Sequence, residues 1–234
     1  MDHGDSLLTM EPGPETNRLL LIDSASQRLC VSAFDATGSL ASVVNLEDAS
    51  MALFSSISDL LSEIDLPLDE LRAIAYCAGP GSMLGLRTAA MGIRAWQATG
   101  TLDKVSIYSF TSLQIGAELA SSQEGGDFLL ITDARRNSWN AIERKSGEIG
   151  KVKLISNESL EAYSGRIYTL THFPSWAKPA KPFTQIPYLP ENVFREPGFT
   201  RLLNPAPKVE LLSLRSSEFA KWIPKARTSD NLSQ

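Results

Sequence analysis

Two aspartates stand directly after apolar, strand-like runs and are the first candidates for chemistry. Asp23 ends the run "RLLLID" and Asp133 ends the run "FLLITD". A carboxylate in such a place can help to hold a metal ion and the phosphates of a nucleotide. It can also accept hydrogen bonds from the backbone of the following turn. The sequence favours this structural role, because neither turn, "DSAS" or "DARR", contains the glycine that a close approach of phosphates requires.

A third candidate is the turn "GPGS" at residues 79–82, which joins an apolar run to a helical pattern. A helix N-terminus offers free N–H groups to an anion. The spacing nevertheless fails both common phosphate motifs, because no lysine follows and Leu84 stands where a dinucleotide fingerprint has its third glycine. The sequence therefore favours a structural turn made by Gly79 and Gly81, with nucleotide binding as the alternative.

The second turn carries two arginines, Arg135 and Arg136. They can contact a phosphate or an acidic partner surface, although a solvated hairpin turn is the favoured interpretation. If a nucleotide borders these turns, the residues beside it would be Asp23, Gly79, Gly81, Ser82, Arg87, Asp133 and Arg135.

Histidines and cysteines are too few and too scattered for a metal centre or a nucleophilic site. His3 and His172 lie far apart, and Cys30 and Cys77 each lie inside an apolar run, as expected of buried, reduced thiols. We therefore expect no metal site and no catalytic residue. A peptidase is rejected, because no Ser/His, Cys/His or zinc arrangement supports it.

The composition limits the partners and the location. The 234 residues carry a net charge of −5, which argues against a chain that grips nucleic acid on its own. A local basic patch would have to be built in three dimensions. No apolar run approaches the ~20 residues that span a bilayer, and the N-terminus does not resemble a secretory signal. We expect a cytoplasmic protein that does not enter a membrane.

Hydrophobic periodicity predicts the same arrangement of elements twice. The first half reads as three strands, a helix, a strand, a helix and a strand. The strand–acid–turn–strand pattern of "LLLIDSASQRLCVSAF" returns in "FLLITDARRNSWNAIER". This repeat predicts two similar α/β lobes that face each other.

The predicted organisation has four parts. A disordered arm (1–17) precedes an N-terminal lobe (18–110), and a C-terminal lobe (111–224) precedes a disordered tail (225–234). Within the second lobe, the proline-rich residues 172–207 should form an ordered wrapping segment whose aromatic side chains pack on that lobe.

Two helices of the first lobe, predicted at residues 50–64 and 82–99, carry apolar side chains on more than one face. This pattern favours burial against a partner as well as within the chain, although burial entirely within the chain is the alternative. The predicted partner-interface residues are Met51, Leu53, Phe54, Ile57, Leu61, Arg87, Met91 and Arg94.

Four segments together resemble a known family. The stretch "IAYCAGPGSMLGLRTAAMGIRAW" resembles the G-P-G-S-F-T-G-[LV]-R signature of the TsaB (YeaZ) family, once called glycoprotease-like. "LLLIDSASQRLCVSAF", "YSFTSLQIGAELA" and "LLITDARRNSWNAI" are similar to that family's I-D-T-S strand, its S-S-L-x-A-L-A segment and its D-A-R-x-G-E-V-Y hairpin. Their order and spacing agree over residues 18–145.

The resemblance implies an α/β, actin-like ATPase (ASKHA) fold with two ribonuclease-H-like lobes. It also implies a non-catalytic scaffold in the complex that transfers a threonylcarbamoyl group to adenosine 37 of tRNAs. The expected partners are the larger paralogue TsaD, met through the first two helices, and the ATPase TsaE, with tRNA reached only through the complex. No cofactor is expected on the chain alone, while ATP and Mg are expected at the complex interface. A homodimer through the same helices is the alternative for the isolated chain.

The sequence also departs from the family pattern at three places. Met83-Leu84 replaces Phe-Thr after the glycine turn, Ala49-Ser50 replaces His-Ser, and Asn137-Ser138 replaces Gly-Glu. The alternative function is a self-standing actin-like ATPase or small-molecule kinase.

Overall fold

A computed structural model of the chain describes residues 17–123 and 125–214. Residues 1–16 of the predicted disordered arm (1–17) and the whole predicted disordered tail (225–234) lie outside these ranges.

The first lobe is built on a six-stranded sheet. Its strands lie in the order Asn204–Pro205, Ser106–Phe110, Ala73–Cys77, Leu19–Asp23, Leu29–Phe34 and Leu40–Asn45. The strand Leu19–Asp23, inside this sheet, is apolar on both faces. Leu19 and Leu21 belong to one buried cluster, and Leu20 and Ile22 belong to another. A strand buried on both faces needs helices on both sides of the sheet. The elements of this lobe are β1 (Leu19–Asp23), β2 (Leu29–Phe34), β3 (Leu40–Asn45), α1 (Ala49–Glu63), β4 (Ala73–Cys77), α2 (Met83–Ala98) and β5 (Ser106–Phe110).

Capping side chains fix where α1 and α2 begin. The Asp48 carboxylate accepts a hydrogen bond from the N–H of Ser50 at 2.8 Å. The Ser82 hydroxyl accepts one from the N–H of Gly85 at 3.3 Å. Each cap satisfies a backbone donor that the helix itself leaves unpaired. Both helices lie against the same outer face of the sheet.

The second lobe repeats the first. In its sheet, with the order β11-β10-β6-β7-β8 and β9 also paired to β7, strand β6 stands where β1 stands in the first sheet. Each of these two strands has an antiparallel neighbour on one side and a parallel neighbour on the other. The predicted repeat and the predicted actin-like α/β fold are confirmed. The elements are α3 (Ser112–Gln123), β6 (Phe128–Asp133), β7 (Ser138–Lys145), β8 (Glu148–Ile149), β9 (Lys153–Ser156), α4 (Asn157–Ala162), β10 (Arg166–Leu170), β11 (Thr184–Ile186), α5 (Pro190–Phe194) and β12 (Asn204–Pro205).

One continuous core joins the two lobes. Inward side chains of the first sheet, such as Leu21, and of the second sheet, such as Leu130, belong to the same cluster of buried residues. Leu113 of α3 and Phe194 of α5 lie within that cluster. The layer order is therefore α1 and α2, first sheet, α3 and α5, second sheet, α4.

The chain returns to the first lobe near its C-terminal end. Asn204 and Pro205 pair with Ser109 and Tyr108 at the edge of β5, and Val209 is buried beneath α2. The predicted assignment of residues 111–224 to the second lobe differs from the structure here. The physical reason is that β5 presents an unpaired edge, where a strand containing proline is tolerated.

The proline-rich segment is ordered, but its aromatic side chains do not all pack as expected. The rings of Phe173 and Tyr188 meet edge to face, 4.9 Å apart. Trp176 contacts Arg135 of the second lobe but is 65% exposed, and Phe183 is 41% exposed, so neither ring is buried in that lobe. Pro174 before Trp176, and Pro179 and Pro182 between Trp176 and Phe183, keep much of this stretch out of the sheet.

Candidate functional site

Asp23, at the end of β1, is fully buried, and protein groups use both of its carboxylate oxygens. Oδ1 accepts a hydrogen bond from the N–H of Ala25 at 3.0 Å. Oδ2 accepts one from the hydroxyl of Tyr188 at 2.5 Å. Burial raises the pKa of Asp23 to about 6, even though both hydrogen bonds act to lower it. Tyr188 of the wrapping segment (172–207) thus covers the acid at the end of β1. The hairpin formed by β1 and β2 is called the first hairpin below.

A buried ion pair makes a second tie between the same two parts of the chain. The guanidinium of Arg28 donates to both oxygens of Glu191, at 2.8 and 2.5 Å. The two side chains are only 16% and 12% exposed. Burial acts to raise the pKa of Glu191. The hydrogen bonds from Arg28, from the backbone N–H of Glu191 and from Cys30, together with the charge of Arg28, outweigh burial and hold the pKa below its ordinary value. This bidentate geometry is the strongest form of an ion pair in proteins.

The glycine turn lies directly against the first hairpin. The N–H of Ser82 donates to the carbonyl of Ala25 at 2.6 Å. A Cβ added to Gly81 would lie 2.2 Å from that carbonyl oxygen, and one added to Gly85 would lie 2.4 Å from the carbonyl oxygen of Ser24. The glycines therefore make room for the protein's own backbone, in the place where phosphates approach in a nucleotide-binding turn.

These contacts decide whether the first hairpin fits a magnesium-bound nucleotide, and it does not. Asp23 is fully buried with both oxygens hydrogen-bonded to protein groups, and the Ala25 carbonyl fills the space beside Gly81 ahead of α2. Among residues 17–123 and 125–214, no group of three or more His, Cys, Asp or Glu side chains could hold a metal ion. The sequence pattern did not indicate Arg28, Tyr188 or Glu191 as site residues. The contacts of Arg28 with Glu191 and of Tyr188 with Asp23 each join residues more than 160 positions apart.

Asp133 occupies the position in the second lobe that matches Asp23, but its environment differs. Oδ1 accepts a hydrogen bond from the N–H of Arg135 at 2.6 Å. Oδ2 accepts two from the wrapping segment, from the N–H groups of Trp176 at 2.5 Å and Ala177 at 2.8 Å. The guanidinium of Arg135 stacks on the indole of Trp176, 3.8 Å from the ring centroid. This carboxylate fastens a surface loop to the hairpin.

The residues predicted to border a nucleotide thus form two groups. The closed first hairpin contains Asp23, and the turn packed against it contains Gly79, Gly81 and Ser82. The surface of the second lobe carries Asp133 and Arg135. Arg87 is exposed on α2.

The partner-interface prediction is divided by burial. Met51, Phe54 and Met91 are 80%, 46% and 63% exposed. Three other predicted residues are at most 6% exposed and belong to the chain's own core: Leu53, Ile57 and Leu61. Those three are corrected to core residues, because α1 presents them to the first sheet.

Arg94 is also reassigned. Its Nε and one terminal nitrogen donate to the carbonyl of Val209 at 3.0 and 2.5 Å. The side chain holds the returning C-terminal segment on α2. Sequence reasoning left out Leu46, Met83 and Leu84 from the interface, although they are 74%, 53% and 55% exposed. The replacement of the family's Phe-Thr by Met83-Leu84 was the available signal.

Comparisons with known proteins agree with this architecture. The family model TsaD, described as tRNA N6-adenosine threonylcarbamoyltransferase, matches residues 47–165. Among solved structures, YeaZ from Pseudomonas aeruginosa matches with a TM-score of 0.61 and 20% identity, over 84% of this chain and 99% of that chain. An uncharacterized protein described as similar to peptidase YeaZ from Pseudomonas aeruginosa matches with a TM-score of 0.59 and 19% identity, with the same coverage of both chains. These two likenesses concern the fold.

No curated protein matches the sequence. In the part of the chain that the structure describes, no helix has both the length and the apolar character needed to cross a membrane.

Proposed function

The chain belongs to the TsaD family of tRNA N6-adenosine threonylcarbamoyltransferases, and we propose that it serves there as a non-catalytic scaffold subunit. In this proposal it pairs with a larger, TsaD-type paralogue that carries out the transfer of the threonylcarbamoyl group to tRNA. The resemblance of four of its segments to the TsaB (YeaZ) family supports this role.

The observation that carries the proposal is the apolar surface on α1 and α2. Monomeric proteins expose single apolar side chains routinely, but a cluster on two adjacent helices is typical of an interaction site. Methionine is well suited to such a surface, because its flexible side chain adapts to a partner. The surface consists of Met51, Phe54, Met83, Leu84 and Met91 on the two helices and Leu46 in the loop before α1.

The closed first hairpin supports the non-catalytic part of the proposal. A nucleotide-using enzyme needs an accessible acid for its metal ion and open glycines for the phosphates. Here Tyr188 covers Asp23, and the Ala25 carbonyl occupies the space beside Gly81. The alternative, a self-standing ATPase or small-molecule kinase, would require both contacts to open.

The remaining parts of the proposal concern the assembly. A TsaE-type ATPase would be the third protein component, and ATP and Mg would bind at the complex interface rather than on this chain. The chain would contact tRNA only as part of the complex, in the cytoplasm. For the isolated chain, the apolar surface on α1 and α2 also suits a homodimer.

A reconstituted transfer reaction tests this role. With TsaD-type and TsaE-type proteins of the same organism, we expect transfer to tRNA to require the chain, and Asp23→Asn to support it as well as the wild type. The matched test of the surface is the double variant Met51→Glu, Met91→Glu. It should no longer support transfer to tRNA, because it should not assemble with the TsaD-type protein. Loss of transfer in Asp23→Asn, with assembly intact, would contradict the non-catalytic role.

A further inference from the structure

The tip of the β6–β7 hairpin, together with the loop around Trp176, forms a small basic and aromatic surface. A pocket of about 330 Å³ lies there, lined by Asp133, Arg135, Arg136, Asn137, Ser138, Trp139, Trp176 and Ala177. The glycine turn and the apolar surface do not include any of these residues. We call these residues the hairpin-tip surface, and the proposed function assigns no role to them.

Backbone geometry presents the side chains of the tip outward. Arg135, Arg136 and Asn137 have φ angles of 62°, 50° and 56°, so three consecutive non-glycine residues adopt the left-handed conformation. Such a run is costly and persists only where the surroundings fix it. All three residues are exposed. Hydrogen bonds on both sides of the run supply the fixing contacts. The N–H of Arg135 donates to Asp133, the N–H of Ser138 donates to the carbonyl of Arg135, and the N–H of Asn157 donates to the carbonyl of Asn137.

The chemistry of this surface suits a nucleotide unit of RNA. Trp176 is 65% exposed, and its ring already carries the Arg135 guanidinium at 3.8 Å. Aromatic rings and guanidinium planes are the groups on which unpaired bases stack. Arg136 adds a positive charge beside them, as a phosphate contact requires. The one acid of the pocket, Asp133, has its charge met by three backbone N–H groups.

The open shape of the hairpin-tip surface suits a nucleotide within an RNA chain better than a free mononucleotide. Sites for small ligands are concave and bury most of the ligand, whereas here the arginines and the indole all face solvent. A single stacked base with one phosphate contact gives weak binding, which suffices when a longer RNA is held at other points of an assembly. We propose that the hairpin-tip surface binds unpaired nucleotides of RNA, with a base on Trp176 and a phosphate on Arg136. This inference rests on the proposed function, since that function brings the chain to tRNA.

The test is fluorescence anisotropy with a labelled single-stranded RNA of about 12 nucleotides, at low salt, where phosphate contacts are strongest. We expect Trp176→Ala to weaken binding about tenfold, because stacking on one aromatic side chain is lost. Arg136→Glu should weaken it at least as much and reduce the slope of the logarithm of affinity against the logarithm of salt concentration by about one. The matched controls are Phe183→Ala, which removes another exposed aromatic ring of the wrapping segment, and Lys151→Glu, which reverses another exposed charge of the second lobe. Both controls should stay within twofold of the wild type.

Three results would overturn the inference: no binding of RNA by the wild-type chain, equal losses in the controls, or displacement of the RNA by millimolar ATP. Light scattering of each variant mixed with the TsaD-type protein separates this inference from the proposed function. Assembly without hairpin-tip RNA binding would overturn only the inference. RNA binding without assembly would support the inference and contradict the scaffold role.

Discussion

Asp23 and Asp133 hold equivalent places in the two lobes, yet each has its own partners. Asp23 is sealed beneath Tyr188, whereas Asp133 fastens the Trp176 loop at the surface. Neither carboxylate is left to hold a metal ion through both oxygens. The burial of Asp23 raises its pKa, and the consequence for stability can be measured.

Asp23 should make the protein less stable as the pH rises from about 4 to 6. Its pKa of about 6 in the folded chain lies above the ordinary value of 3.8. The folded state therefore binds more protons than the unfolded state in this window, and its stability falls as the pH rises. A shift of about two pKa units corresponds to a loss of about 3 kcal/mol from the free energy of unfolding. Urea unfolding of the wild type and Asp23→Asn at pH 4.5 and 7 measures the part of this loss that falls above pH 4.5, about 2 kcal/mol.

The comparison of these two proteins isolates Asp23, because other carboxyl groups titrate equally in both. We expect the wild type to lose more stability than Asp23→Asn on going from pH 4.5 to 7. An identical pH dependence in the two proteins would show that Asp23 is not the buried acid described here.

The Arg28–Glu191 pair provides a second prediction for single residues. Glu191→Ala leaves a largely buried guanidinium without its carboxylate and should lower the free energy of unfolding by about 3 kcal/mol. The matched control is Glu143→Ala, which breaks an ion pair with Lys153 whose side chains are 31% and 52% exposed. That change should cost less than about 1 kcal/mol. Equal costs in thermal or urea unfolding would contradict the burial of the first pair.

At the scale of elements, the glycine turn and the two helices behave as one structural unit. The turn is packed against the first hairpin, and α2 starts from it. Gly81→Val should therefore lower the stability and weaken partner binding together, by about 3 kcal/mol in unfolding free energy, because overpacking displaces the hairpin backbone. Gly125→Ala is the control, since nothing lies within 4 Å of its added Cβ. Weakened binding at unchanged thermal stability would mean that the turn contacts the partner itself.

The exposed face of α1 and α2 allows folding and assembly to be separated. Met51→Glu and Met91→Glu should leave the free energy of unfolding within about 0.5 kcal/mol of the wild type and weaken assembly at least tenfold. Leu53→Glu should prevent folding, because it buries an unpaired charge in the core. Circular dichroism and light scattering distinguish the two effects. Unchanged assembly in both methionine variants would remove the assignment of this surface.

Local signals allowed these helices to be predicted closely. The predicted ranges 50–64 and 82–99 differ by one residue at each end from Ala49–Glu63 and Met83–Ala98. Caps and periodicity lie within the helix itself, so the sequence carries them. The outward face could not be predicted, since Leu53 and Met51 are both apolar and only the packing of the sheet decides which is covered.

For the molecule as a whole, the internal repeat predicted the two lobes but not how they are joined. The core between the sheets, the return of Asn204 and Pro205 to the first sheet, and the closure of the first hairpin all depend on contacts between residues far apart in the chain. Such contacts leave no periodic pattern in the sequence. They also join the two lobes through one shared core.

Size-exclusion chromatography with light scattering tests the central claim most directly. The chain would be run alone and then with the TsaD-type protein of the same organism, each with and without ATP and magnesium. The scaffold account predicts a stable mixed species, lost in the Met51→Glu, Met91→Glu double variant, and no ATP bound to the chain alone. Absence of a mixed species, together with ATP binding to the isolated chain, would contradict the account and favour the independent ATPase.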